Sequence, residues 1–172
     1  MKVLDYRDRV GPASKVRTLM FLVKGDKVLL AMKKRGFGAG RWNGTGGKVE
    51  PGETVEQAAV REAREEIGVT PKSMRKAAEL EFYFYTDDLS QSPMDQKVVV
   101  YVADSWEGEP SESEEMAPKW FDAGKLPFDS MWQDDPFWLP SVLEGKAIEA
   151  QFLFDKSDAL IDRLVLEKGR YA

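Results

Sequence analysis

The most constraining segment of the chain is a helix whose two ends are both written in the sequence. Thr54 stands at an N-cap position and Gln57 follows three residues later, so a T-x-x-Q capping box can satisfy two free amides of a first turn. Gly68 supplies the residue type that ends helices in a left-handed conformation. The spacing predicts a helix over residues 55–67. Its apolar stripe runs through Val55, Ala58 and Ala59, at i, i+3 and i+4. By the same rule the stripe continues through Glu62 and Glu66, with Glu65 three residues from Glu62. A solvated charge run would lie opposite the apolar stripe, whereas this one extends it. Inward-leaning carboxylates repel one another and lose hydration, and the C-terminal end of a helix disfavours anions. Compensation comes either from a salt-bridge network, with Arg61 reaching Glu53, or from a divalent cation. Mg²⁺ or Mn²⁺ accepts carboxylate oxygens and bridges to phosphates.

Composition narrows the chemistry. The 172 residues include neither cysteine nor histidine, which excludes thiolate nucleophiles, disulfides, zinc fingers and any Ser-His-Asp triad. Carboxylates, Lys, Tyr, Ser or a hard metal held by oxygen remain. The net charge of −5 argues against a partner that is a nucleic acid polymer, though not against a small anionic ligand bound through a metal. The charged start MKVLDYRDRV does not resemble a signal peptide, and the longest apolar runs are strand-sized, so no membrane span is expected. A monomer in the cytoplasm is the expectation.

Along the chain, residues 1–14 show no periodicity and read as an N-terminal arm outside the core, ahead of a single domain over 15–172. KVRTLMFLVKGDKVLLAMKK reads as two strands joined by a turn at Gly25-Asp26. RGFGAGRWNGTGG (35–47) holds six glycines and reads as a loop, or as one whose backbone approaches a ligand. ELEFYFYT (79–86) and KVVVYVAD (97–104) read as strands around a polar connection, and EGEPSESEEMAP (107–118) as an acidic loop. A second helix is expected over 135–144, entered at Asp135 as N-cap with Pro136 at N1. A strand pair closes the chain. The result is one mixed α+β domain.

GKVEPGETVEQAAVREAREEIGV (47–69) resembles the Nudix box, G-x5-E-x7-R-E-U-x-E-E-x-G-U with U aliphatic. Gly47, Glu53, Arg61, Glu62, Glu65, Glu66, Gly68 and Val69 all fall in register, and Ala63 is smaller than the usual aliphatic residue. The resemblance implies a three-layer α/β/α sandwich around a mixed β-sheet. It also implies metal-dependent hydrolysis of a nucleoside diphosphate linked to a further group. Mg²⁺ or Mn²⁺ would be held by Glu62, Glu65, Glu66, the backbone of Gly46 and Glu115. Glu66 or Glu62 would act as the base, Glu115 is a rival for that role, and Arg61 belongs to the catalytic set.

MKKRGFGAGRWNGTGGKV (32–49) and MWQDDPFW (131–138) narrow the resemblance to the branch of that family that hydrolyses oxidised purine nucleoside triphosphates. The substrate residues then implied are Asn43, Trp132, Asp134 and Asp135, with Phe37, Phe82, Lys33 and Thr18 around them and Met94 and Met116 near the base. Physically, Trp132 offers a stacking face, Asn43 a donor and an acceptor, and adjacent aspartates in one pocket cannot both ionise easily. The chain departs from that branch at Thr45, where an aromatic is usual, at Gln133, where proline is usual, and in a longer connection at 87–95. A shift in base preference is expected from the first two. The competing readings are another Nudix substrate, such as ADP-ribose, a dinucleoside polyphosphate or a capped RNA, and a non-catalytic nucleotide-binding module.

Overall fold

The structure, a computed structural model, describes residues 1–90 and 94–171. Its elements run α1 (Val3–Val10), β1 (Lys15–Lys24), β2 (Lys27–Lys33), β3 (Trp42–Asn43), α2 (Val55–Ile67), β4 (Thr70–Pro71), β5 (Met74–Phe84), β6 (Gln96–Ala103), β7 (Trp106–Glu107), β8 (Met116–Asp122), α3 (Leu139–Leu143), β9 (Lys146–Phe154) and β10 (Leu160–Arg170). Short 3₁₀ turns cover Phe128–Ser130 and Asp135–Phe137.

One mixed sheet organises the molecule, in the order β10-β9-β5-β6-β1-β2-β3, with β8 also paired to β2. β1 runs parallel to β6 and β5 parallel to β9, and the other pairings in this sheet are antiparallel. Side chains alternate across these strands. Phe21, Leu30, Val100 and Phe152 therefore meet Trp138, Leu139 and Val142 from α3 and its approach. Met20, Leu22, Leu29 and Tyr101 meet α2 on the opposite face. Helix, sheet and helix make the three layers.

α2 forms as its caps require. Gln57 N donates to Thr54 Oγ1 at 3.1 Å, Thr54 N donates to Gln57 Oε1 at 2.9 Å, and Gly68 takes φ 74°. Ala58, Ala59 and Ala63 are fully buried, so small side chains let the helix lie close on the sheet. That accounts for Ala63 within the box. Burial of Ile67 at the helix end contributes about 1.5–3 kcal/mol.

Two expectations are corrected. Residues 1–14 do not lie outside the core: α1 buries Val3 and Tyr6 against Tyr83 and Leu153, on the α2 side of the sheet. An eight-residue helix with two buried side chains offers no legible period. Its first amide, Val3 N, is capped at 2.7 Å by Asp162 Oδ2 from β10, a partner 159 residues away. The helix expected over 135–144 is instead a 3₁₀ turn followed by the short α3, and neither Asp134 nor Asp135 caps it with its side chain.

Candidate active site

The glycine-rich loop closes onto β1. Thr18 N donates to Gly47 O at 2.9 Å and Met20 N to Thr45 O at 2.7 Å. A Cβ on Gly46 would stand 1.8 Å from Thr18 O, and one on Gly47 2.4 Å from Glu62 Oε1. Glycine is needed at Gly46, where the obstacle is the backbone of β1; at Gly47 the obstacle is the Glu62 carboxylate, so a side chain there would displace that carboxylate.

That end is built around a bidentate pair. Arg61 gives Nε to Glu53 Oε2 at 2.8 Å and Nη2 to Glu53 Oε1 at 3.0 Å, and it also donates to Lys48 O. These hydrogen bonds hold the Glu53 carboxyl below its ordinary range. Arg61 Nη1 reaches Glu62 Oε1 at 3.0 Å and Glu65 Oε2 at 3.4 Å. The expected salt-bridge network is therefore present, and Arg61 positions carboxylates rather than facing the cavity. Glu66 lies beyond its reach. It is 2% exposed, and its Oε1 accepts from Gly46 N at 3.1 Å. Its Oε2 is buried without a partner. Burial pushes this carboxyl up to about 8, Glu62 pushes the same way, and the Gly46 amide opposes both.

An orphaned, buried carboxylate oxygen beside a second carboxylate fits a cation. Among the described residues, no group of three or more carboxylates is close enough to enclose one. Glu62 and Glu66 stand together. Glu65 is 60% exposed on Arg61, and Glu115 pairs with Arg35 at 3.5 Å at the head of β8.

Beside the glutamates opens a cavity of about 470 Å³. It is lined by Thr18, Lys33, Phe37, Asn43, Phe82, Trp132, Asp134 and Asp135, and also by Met94, Met116 and Gly46. β3 places Asn43 opposite Ala31 of β2. Asn43 Oδ1 takes the Gly44 amide at 2.9 Å, which leaves the side-chain NH₂ as donor. Trp132 lies against Gly38, where a Cβ would sit 3.4 Å from its Nε1. Arg41 covers the Trp132 ring at 4.1 Å.

Asp134 and Asp135 are each 2% exposed. Asp134 Oδ2 accepts from Trp138 Nε1 at 2.8 Å, while Asp135 Oδ2 is buried with no partner. Burial is the first cause of both shifts. It carries Asp134 up to about 7 and Asp135 well above its ordinary value, with the charge of Asp134 adding to the latter. The expectation is that mutual repulsion keeps one member neutral; instead both are raised, chiefly through lost hydration, with repulsion a second cause for Asp135 alone.

Several contributors carry no signal in the motifs: Arg17, Gln96, Phe84 and Phe154 also line the cavity. Trp138 closes the motif MWQDDPFW, which assigns it no role, and it supports the aspartates from four residues away. Phe84 was legible in one respect: alternation in EFYFYT puts it on the same face as Phe82. The two departures do not face the cavity. Thr45 is buried behind the loop, and exposed Gln133 accepts from Leu160 N at 2.8 Å, so neither side chain lines the cavity. Residues 91–93 of the longer connection lie outside the described residues.

Residues 13–142 match the model of the NUDIX domain. The chain is 48% identical over 149 residues to an oxidized purine nucleoside triphosphate hydrolase of Danio rerio, covering 87% of this chain and 92% of that protein. It is 43% identical over 148 residues to the protein of the same name in Mus musculus, covering 86% and 92%. Among solved structures, a MutT protein from Bacillus halodurans superposes with a TM-score of 0.78 at 23% identity, over 88% of this chain and 97% of that one, and shows the same fold.

Proposed function

The chain belongs to the NUDIX domain family, and on that premise we propose that it hydrolyses oxidised purine nucleoside triphosphates, such as 8-oxo-dGTP and 2-hydroxy-dATP, to the monophosphate and pyrophosphate. One observation carries this reading. A single cavity joins an aromatic and amide surface, with two buried acidic groups in its lining, to Gly46, whose amide holds Glu66 of α2. Two relatives that share most of the chain's length carry the name of that activity.

In this reading the base stacks on Trp132. Asn43 donates from its amide, and the aspartate pair presents one protonated and one ionised oxygen, so it can donate and accept at once. Moving that proton between Asp134 and Asp135 lets one site accept oxidised guanine and oxidised adenine alike. Lys33, Arg17 and Lys48 line the same cavity and suit the phosphates. Glu62 and Glu66 would hold Mg²⁺ or Mn²⁺, with the Gly46 carbonyl, Glu65 and Glu115 completing the set after rearrangement. When bound, the cation offsets the triphosphate charge and activates water.

Glu62 is already tied to Arg61; in the proton-accepting role Glu66 would use its unpartnered oxygen on the attacking water and leave the cation to Glu62, Glu65, Glu115 and the Gly46 carbonyl. Water adds to the α- or β-phosphorus, the P–O bond that bridges those two phosphorus atoms breaks, and nucleoside monophosphate and pyrophosphate depart. The test is a substrate panel at saturating Mg²⁺: 8-oxo-dGTP, 2-hydroxy-dATP, dGTP, ADP-ribose, a dinucleoside polyphosphate and capped RNA, with products resolved by chromatography. Oxidised triphosphates should show the highest kcat/KM. A higher value for any other class overturns the reading.

A further inference from the structure

α1 precedes the segment matched by the family model, which begins at residue 13, yet it fastens the strand that walls the cavity. β5 turns Phe82 and Phe84 toward the cavity and Glu81 and Tyr83 toward α1. Its pairing with β6 ends at Phe82↔Gln96, whereas its pairing with β9 continues to Phe84↔Phe154. Tyr85 N donates to Phe154 O at 2.7 Å, so by alternation the N–H and C=O of Phe84 point to the side where β6 has ended.

Two buried side chains take over there. The Tyr6 hydroxyl donates to Phe84 O at 3.1 Å and accepts from Thr86 N at 3.2 Å. Asp95 Oδ1 accepts from Phe84 N at 2.9 Å. Tyr6 is fully buried and Asp95 is 6% exposed, so water does not substitute freely for either. Arg7 anchors the same helix to Glu81 at 2.8 Å.

Phe84 is one member of a closed circuit of rings along the cavity wall. Its centroid lies 6.1 Å from Phe37, Phe37 lies 5.2 Å from Trp132, Trp132 lies 5.8 Å from Phe154, and Phe154 lies 5.6 Å from Phe84. A displaced Phe84 acts on Trp132 along both arms of this circuit, because packed rings cannot move independently. We infer that Tyr6 and Asp95 are positioning residues for base recognition: they replace the missing strand partner of Phe84 and thereby fix the plane of Trp132. This rests on the proposal that the cavity reads a purine.

Tyr6→Phe keeps the ring and removes only the hydroxyl. Its KM for 8-oxo-dGTP should rise about fivefold to tenfold, with kcat and the KM for dGTP within about twofold. Asp95→Ala should behave the same way, and Asp95→Asn, which still offers an acceptor, should stay near wild type. The indole N–H resonance of Trp132 reads the ring circuit without any substrate. It is identified among the five tryptophans by its loss in Trp132→Phe, and it should move in Tyr6→Phe. Leu29→Ala on β2 removes packing from the cluster on the opposite face of the sheet, so it should lower Tm while leaving that resonance and the KM in place. An unmoved resonance in Tyr6→Phe, or an equal KM rise in Leu29→Ala, overturns the inference. If wild type shows no preference for oxidised purines, the cavity reading fails, and the Trp132 resonance alone decides whether Tyr6 positions the circuit.

Discussion

The molecule holds two pairs of carboxylates, one half-buried and one fully buried, and treats them differently. Glu62 and Glu66 sit one helical turn apart on α2, beside a guanidinium that holds one of them and leaves the other with an unpartnered oxygen. Asp134 and Asp135 are neighbours in a 3₁₀ turn, with an indole N–H as the side-chain partner of one and no basic side chain shifting either. The first pair lies where Gly46 and Gly47 bring the loop backbone against the helix. The second lines the cavity together with Trp132 and Trp138. Burial raises Glu66 and both aspartates, but the surroundings decide the use. A pair with a positive rim and an open oxygen suits a cation and a phosphate. A pair walled by rings suits a proton that can be placed on either member.

The largest effect that would break this contrast is at the helix. Glu66→Gln should lower kcat by about 10²–10⁴-fold at saturating Mg²⁺ while leaving Tm unchanged or higher, since it removes a buried acid. Steady-state rates within tenfold of wild type would remove Glu66 from the chemistry. At the other pair, Asp135→Asn should cost about tenfold to a hundredfold in kcat/KM for oxidised purines and little for dGTP. If affinity for 8-oxo-dGTP is flat from pH 5 to 9 and Asn at either position is harmless, the shared proton is not used. Asn43→Ala should raise the KM for oxidised purines about tenfold and move that of dGTP far less. Equal effects would count against a role in reading the base.

The smallest expected effect concerns stability. Asp134 is raised from 3.8 to about 7, so the fold favours its neutral form. That contribution is complete below 3.8 and is lost as pH rises through about 7. Between pH 5 and 8, without ligand, wild type should lose a few degrees of Tm more than Asp134→Asn, which still accepts from Trp138. Parallel melting curves would show that the aspartate is ionised in the fold.

The α2 region was almost wholly legible. Its caps, its stripe and the phase of Glu62 and Glu66 depend on neighbours within a few turns, and short-range geometry fixes them. Arg61 with Glu53 was readable for the same reason. The cavity was readable in its members but not in its assembly. Asn43 and Trp132 are 89 positions apart, and only the packing of β3 against β2 and of Trp132 against Gly38 brings them to one space. Trp138 is a core aromatic by burial, yet its N–H is also the support of Asp134, a contact that only the folded turn shows. α1 was misread because its cap, its buried tyrosine and its salt bridge all have partners at least 74 residues away.

By itself, then, the sequence determined the acidic helix, the hairpin, the absence of thiol and imidazole chemistry and the identity of the groups available to a base. Those follow from composition and from periods of two and 3.6 residues. The tertiary structure decided which glutamate keeps an unpartnered oxygen, why both aspartates resist ionisation, and that an N-terminal helix reaches the cavity wall through the Tyr6 hydroxyl and the Arg7 guanidinium. Each of these depends on exclusion of water, and a chain loses its water only when distant segments close over it.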